Sequence, residues 1–359
     1  MKVLALNSSP RSSGQSKTEL MLNHLVDGMR DAGADVEVVH LRKKKINNCL
    51  GCFVCWTKTP GQCVQKDDMT NEIFPKMLQS DLMVFATPLY FHSMNAMMSK
   101  FMERQLPAAL PFFAQHEDKT FHPLRHKVPK AVWLSVCGLP ENKEFNQLSA
   151  QLHNDYDQEG LELVAEIYRP AAETLTNTIF KDKAQDILDA TRQAGRELVE
   201  SLHVSRQTMA RIKQPIIDRS ALAAMGNLMW KTCISEGVTL REFQEQRMVP
   251  RPDSIETFML IMPRGFKTQA VDDREVIVQF NFTGEVPGSC YFTIRRDGVK
   301  AISGVSSNPT LTIESPFNVW MDIITRKADG QQMFMEQNYK VKGDLQLMIQ
   351  LFQRESENK

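Results

Sequence analysis

Val3-Leu4-Ala5-Leu6 runs directly into Asn7-Ser8-Ser9-Pro10-Arg11-Ser12-Ser13-Gly14-Gln15-Ser16. A short continuous apolar run that stops at a Ser/Pro/Gly-rich loop reads as a strand buried on both faces. Behind the loop, Leu22, Leu25, Val26 and Met29 recur at helical spacing, and Gly33 marks the stop. In a parallel α/β sheet, a loop in this position receives an anion. The first amides of the helix point outward, and the helix dipole favours negative charge. Ser9 and Ser16 add hydroxyls, and Arg11 adds a cation. A Ser-rich turn with a good N-cap uses the same residues; the position at the carboxyl end of the first strand tips the reading toward phosphate.

The same rhythm continues outward. Val36 to Leu41, Leu82 to Ala86, Ala131 to Val136 and Leu161 to Tyr168 read as strands. Met69 to Leu78, Ser93 to Arg104, Phe145 to Tyr156 and Asp182 to Leu202 read as helices. Five strands alternating with helices predict an α/β fold with a doubly wound, five-stranded parallel sheet. Pro107 to Pro129 breaks the rhythm with His116, His122 and His126, and reads as a solvated insertion, with a lid or a dimer contact as alternatives.

Lys plus Arg and Asp plus Glu both total 43, so net charge offers no attraction to nucleic acid or an anionic membrane. The run Arg42-Lys43-Lys44-Lys45 reads as a solvated loop edge. After Met1-Lys2 only four apolar residues precede Asn7, too few for a signal-peptide core, and no apolar stretch is long enough to span a bilayer. The expected location is cytoplasmic.

Four of the seven cysteines crowd into Cys49-x2-Cys52-x2-Cys55-x7-Cys63. In a reducing compartment such crowding argues for metal or redox chemistry over structural disulfides. Three thiolates at this spacing wrap one iron–sulfur cluster, and a fourth completes the shell. Pro60-Gly61 supplies the turn that returns Cys63. Zinc, a metal-free redox pair and unligated thiols remain alternatives. Cys137, Cys233 and Cys290 read as small buried hydrophobes.

The character changes after His203. Val204 to Arg219 is polar and basic and reads as a linker, followed by a helix over Ala221 to Ile234. Strands dominate next: Val276 to Phe282 alternates in and out, Gly284 and Pro287-Gly288 mark a turn, and Tyr291 to Arg295 returns. After a strand at Leu311 to Ile313, Ser315-Pro316 reads as the N-cap and first turn of a helix running to near Gly330. Gly343-Asp344 reads as turn and cap of a last helix carrying Leu347, Met348, Leu351 and Phe352.

Ser9-Pro10-Arg11 and Gly14-Gln15-Ser16 resemble the G-S-P-R…G-N-T loop of NADPH-dependent FMN reductases and iron–sulfur flavoproteins. Ser8 stands where that family has Gly, and Gln15-Ser16 where it has Asn-Thr. The resemblance extends to about residue 200, through Lys100-Phe101 and Glu103-Arg104 (the family's K-x-F-x-D-R) and Asp67-Asp68-Met69 (its D-D-M). It implies a flavodoxin-like fold. It implies FMN, with the phosphate on Ser9, Arg11, Gln15 and Ser16 and the isoalloxazine along Thr87, Pro88, Leu89, Tyr90 and Phe91. Val136 to Pro140 would close the flavin's other side. The cysteine run resembles the family's compact [4Fe–4S] motif, which implies Cys49, Cys52, Cys55 and Cys63 as ligands.

Phe258 to Phe352 resembles a sterol-carrier-protein type 2 domain. The likeness rests on Val278 to Gly284, Gly298, Leu311-Thr312-Ile313, Trp320, and Tyr339 to Asp344. It implies an α+β fold and a lipid or sterol ligand. The expected organisation is a flavodoxin-like FMN-binding domain over 1–203, a linker with a helix over 204–250 and a sterol-carrier-like domain over 251–359. The implied activity is an NAD(P)H-dependent flavin oxidoreductase handing electrons to a small-molecule or protein acceptor, and the family resemblance implies a homo-oligomer. No residue stands out as general acid or base. Two alternatives stay open: a lipid carrier with a regulatory flavodoxin-like half, and a redox sensor in which the cysteines switch the lipid domain.

Overall fold

The computed structural model describes residues 1–116, 119–177 and 180–352, and the chain divides into two compact units, Met1–Ile216 and Ile217–Lys359. The first unit runs β1 Lys2–Asn7, α1 Lys17–Asp31, β2 Asp35–His40, α2 Phe74–Leu78, β3 Leu82–Tyr90, β4 Ser93–Met94 and α3 Ala96–Glu103. It continues with β5 Ala114–His116, β6 Lys119–Phe121, β7 Lys130–Val136, α4 Asn146–Tyr156, β8 Leu163–Arg169, α5 Lys181–Ser201 and α6 Arg206–Lys213. Five strands pair in parallel in the order β2-β1-β3-β7-β8. This is the flavodoxin-like doubly wound sheet, whose order reverses between β1 and β3.

Both faces are covered, which is why the central strands read as unbroken apolar runs. On one face, Leu22, Leu25 and Met29 of α1 and Ile187, Ala190 and Ala194 of α5 pack on the sheet. Ile73, Met77, Met98, Phe101, Leu148 and Leu152 fill the other. Helices α1 and α5 approach closely because glycine sits at both contacts. A Cβ at Gly28 would lie 1.8 Å from the Arg192 carbonyl oxygen, and one at Gly195 would lie 2.0 Å from that of Leu25. Asp31 bridges Arg192 and Arg196 across the same seam.

Several local expectations change. Met69 to Leu78 opens with a π turn over Met69–Ile73. Pro75 carries no N–H and its ring crowds the carbonyl four residues back, so the regular ladder cannot form there. The helix expected from Ser93 starts at Ala96, because Ser93 and Met94 turn back on β3 and Asn95 caps. The polar segment after His203 contains α6, whose Ile212 joins the core with Ile216. Buried Arg169 fixes it there, donating from Nη1 to the carbonyls of Ile212 (2.9 Å) and Gln214 (2.7 Å).

The second unit runs α7 Arg219–Glu236, α8 Leu240–Glu245, α9 Ile255–Ile261, β9 Val276–Thr283, β10 Gly288–Arg295 and β11 Gly298–Ser303. It closes with β12 Leu311–Pro316, α10 Phe317–Ile324, α11 Gly330–Met335, β13 Lys340–Gly343 and α12 Leu345–Phe352. Its sheet order is β11-β10-β9-β12-β13, antiparallel except for β9 with β12. Phe258, Phe280, Phe282, Phe292 and Trp320 fill the core with rings 5.0–5.7 Å apart, mostly edge to face. Ser315 is not a helix cap. It lies in β12 opposite Phe282, and Pro316 takes the cap position. Helix α10 stops at Ile324, with Arg326 in the left-handed region two residues on, and Gly330 begins α11 instead of ending α10. Asp344 does cap α12, accepting from the Leu347 amide at 2.9 Å. No helix among the described residues is long and apolar enough to cross a membrane.

Candidate functional site

The loop after β1 folds into a hydrogen-bonded cradle at the head of α1. Ser16 caps α1 by accepting from the Glu19 amide, and its hydroxyl donates to Ser9 Oγ at 2.8 Å. Asn7 Oδ1 accepts from the Ser9 amide, and Ser9 Oγ from that of Arg11. Ser9 and Ser16 are buried, whereas Arg11 and Gln15 are exposed. Lys17 and Thr18 open α1, where a helix leaves its first amides without intrahelical acceptors. Ser8 fits where a glycine resembles the norm: its φ is not positive, its amide bonds the Ala86 carbonyl at 2.9 Å, and its hydroxyl donates to the same oxygen at 3.2 Å.

Glu173 already spans the cradle, 2.6 Å from Arg11 and 3.3 Å from Lys17. Burial disfavours its charge, but Arg11 and Lys17 outweigh burial and hold the carboxyl below its usual range. No sequence signal connects Glu173 with this loop, since the ion pair is made 162 residues away.

Across the switch point, Thr87, Pro88, Leu89 and Tyr90 continue β3 and do not form a loop after it. Thr87 and Pro88 are buried, Leu89 is half-buried, and Tyr90 is exposed. Tyr90 pairs with Ser93, so Phe91 and His92 form a two-residue turn with both residues at positive φ (48° and 62°). That geometry suits Asn-Gly and strains larger side chains, and it leaves the Phe91 ring 98% exposed.

Asn95, which sequence reading passed over, joins the two loops. Its Nδ2 donates to the Ser8 carbonyl at 2.6 Å, its amide donates to Thr87 Oγ1 at 3.2 Å, and its Oδ1 accepts from the Met98 amide as the N-cap of α3. Val136 ends β7, and the segment to Pro140 leaves the same end of the sheet, tied to the end of β8 and the residues after it through Cys137 and Leu139.

The four cysteines line one cleft with Leu50, Phe53, Val64, Glu103, Arg104 and Leu106. Cys55 is buried, Cys49 and Cys63 are half-buried, and Cys52 is exposed. The return turn forms as expected: Gly61 has φ 83°, and its amide bonds the Cys55 carbonyl at 2.9 Å. Burial pushes the Cys55 thiol up, and the charges of Cys63, Cys52 and Cys49 push it further. Among the described residues, no three His, Cys, Asp or Glu side chains converge to hold a single metal ion. One zinc would need every sulfur about 2.3 Å from a common centre.

Behind the cleft, Arg104 and Asp67 form a buried two-pronged ion pair. Nη1 is 2.6 Å from Oδ2 and Nη2 is 3.1 Å from Oδ1. Burial disfavours the Asp67 charge, but Arg104 and the amides of Asn47 and Thr70 hold its carboxyl at about 2. The insertion over 107–129 touches this loop at His122, while Phe112 and Phe113 stay 68% and 76% exposed. The His122 ring lies 4.7 Å from Trp56 and 5.0 Å from Phe113. Trp56 Nε1 donates to the Leu106 carbonyl. The basic run is partly paired, Arg42 with Glu19 and Lys44 with Glu72.

Cradle, hairpin and switch point meet at the carboxyl end of a doubly wound α/β sheet. The family model described as NADPH-dependent FMN reductase matches residues 1–138, and that of the SCP-2 sterol transfer family matches 267–353. An iron-sulfur flavoprotein of Methanocaldococcus jannaschii is 30% identical over 154 residues, 43% of this chain and 70% of that protein. One from Archaeoglobus fulgidus is 38% identical over 107 residues, 30% of this chain and 46% of that protein. The chain belongs to the iron–sulfur flavoprotein family through its first unit, and it carries an SCP-2 region in its second. Apart from that 154-residue match, the chain spans about half the length of the curated relatives it matches. Among solved structures, an NAD(P)H:quinone oxidoreductase from Methanothermobacter marburgensis aligns at TM-score 0.42 and 18% identity, over 55% of this chain and 96% of that one.

Proposed function

We propose that the first unit is an FMN-dependent oxidoreductase that takes electrons from NAD(P)H, holds a [4Fe–4S] cluster on Cys49, Cys52, Cys55 and Cys63, and delivers electrons to a small-molecule or protein acceptor. The supporting observation is Asn95, which ties the Ser8 loop to Thr87 at the sheet's switch point. Ser9, Ser16, the α1 amides, Arg11 and Gln15 would bind the phosphate; Thr87 to Phe91 would line the isoalloxazine. When bound, FMN would supply the chemistry that links a two-electron donor to a one-electron cluster, with Ser9, Ser16, Arg11 and Thr87 to Phe91 holding it in place.

The donor set of four thiols in one cleft fits a cluster. Asn95 caps the start of α3 and Arg104 its end, about 14 Å apart along the axis over nine residue steps. The two redox sites would therefore sit at opposite ends of one short rigid element. We further propose that the second unit binds an apolar ligand, lipid, sterol or quinone, and so presents or senses the acceptor.

The test is an anaerobic visible spectrum of freshly purified protein with iron and sulfide assayed on the same sample. A flavin spectrum with a broad iron–sulfur shoulder and stoichiometric iron supports the two-centre reading. Flavin without iron removes the cluster. Protein that stays colourless with added FMN overturns the oxidoreductase and favours a lipid carrier. Apolar ligands that neither bind nor alter turnover remove the coupling to the second unit.

A further inference from the structure

We propose that Arg104 is a positioning residue for the Cys63 sulfur and raises the reduction potential of the cluster by donating a hydrogen bond to that ligand; this rests on the cluster reading above. Arg104 Nη2 lies 3.4 Å from Cys63 Sγ, a donor distance for sulfur. The guanidinium and the Asp67 carboxylate are 1% and 0% exposed, so water screens neither. Nη1 satisfies Asp67 and the Asn47 carbonyl, which uses both its hydrogens. Nη2 serves Asp67, Thr70 Oγ1 and Cys63 with two hydrogens. The sulfur bond therefore gains most when Cys63 is a thiolate, because the charged acceptor competes best for a shared hydrogen.

Asp67 fixes the plane of the guanidinium, and that plane fixes the aim at sulfur. A hydrogen bond to a ligating sulfur withdraws negative charge and favours the reduced cluster. Lysine could neutralise Asp67 but not hold this fork. If Arg104 only fastened Asn47, Thr70 and Asp67 together, removing either member of the pair would loosen the loop alike. If it acts on sulfur, the two removals have opposite signs. Asp67→Asn leaves the cation whole beside Cys63; Arg104→Gln takes it away.

The experiment measures the cluster midpoint potential, with iron and sulfide content, in wild type, Asp67→Asn, Arg104→Gln and the double variant. The double variant leaves no uncompensated buried charge, so it keeps the test available if Arg104→Gln fails to fold. Asp67→Asn is expected to raise the potential above wild type. The double variant is expected to fall below Asp67→Asn by at least tenfold in the reduced-to-oxidised ratio, about 59 mV for one electron. Potentials that agree across iron-replete variants, or a double variant that does not fall below Asp67→Asn, overturn the role of Arg104 alone. Wild type without iron overturns the cluster reading and this proposal with it.

Discussion

Asn95 Nδ2 donates to the Ser8 carbonyl at 2.6 Å, 87 residues away in sequence. The same side chain caps α3, so cap and tether can be separated. Asn95→Ser keeps a capping oxygen but cannot reach Ser8, whereas Asn95→Ala loses both. Both variants should bind FMN roughly tenfold more weakly, and only Asn95→Ala should also lose about 1 kcal/mol of stability. Fluorescence titration with FMN and chemical denaturation check this. An Asn95→Ser protein that binds FMN like wild type would refute the tether.

The Arg11–Glu173 pair makes a phosphate-specific forecast. Arg11→Gln should weaken FMN roughly tenfold and leave riboflavin, which lacks the phosphate, unchanged. Glu173→Gln frees Arg11 and Lys17 and should tighten FMN, again without affecting riboflavin. Equal effects on both flavins would place Arg11 elsewhere in recognition.

Cys55 is the buried member of the cysteine cleft. Cys55→Ser should lose most bound iron while retaining FMN, since no cradle residue lies in that loop. Iron assay and the flavin absorbance of one sample decide it. Unchanged iron would exclude Cys55 as a ligand.

Hydrogen bonds from Arg192 and Arg196 hold the Asp31 carboxyl at about 2, below its ordinary 3.8. A depressed carboxylate contributes stability that is present above its unfolded value and lost as pH falls through its folded value. Wild type should therefore melt higher than Asp31→Asn at neutral pH. The gap should close between about pH 4 and pH 2, and shrink in high salt because the pair is solvent-exposed. Melting curves across that range test it; a gap that persists at pH 2 contradicts it.

The glycine contacts between α1 and α5 leave no room for a methyl group. Gly195→Ala should destabilise by about 3 kcal/mol or prevent folding, although alanine is the better helix former. A variant as stable as wild type in urea would show that the helices can part.

The five parallel strands were legible because strands buried on both faces carry continuous apolar runs, as Leu82 to Ala86 does. The cradle was legible because Ser9 and Ser16 act within one loop. Asn95 was not, since an asparagine after a turn looks like a local cap and its bond to Ser8 exists only once β1 and β3 are neighbours. Arg104 and Asp67 stood out as motif residues, but their ion pair closes a 37-residue gap that no periodicity reports. Phe91 and His92 failed to announce a tight hairpin because neither is the residue type such a turn favours. Ser315 misled for a related reason: a Ser-Pro pair signals a helix start, and here the parallel pairing with β9 claims Ser315 first.

The buried Arg169 gives the first unit a natural end. A chain cut after His203 would remove both carbonyls that receive its guanidinium and leave a charge stranded in the interior, together with the holes left by Ile212 and Ile216. The first compact unit accordingly runs on to Ile216, past both carbonyls and both apolar side chains that its interior needs.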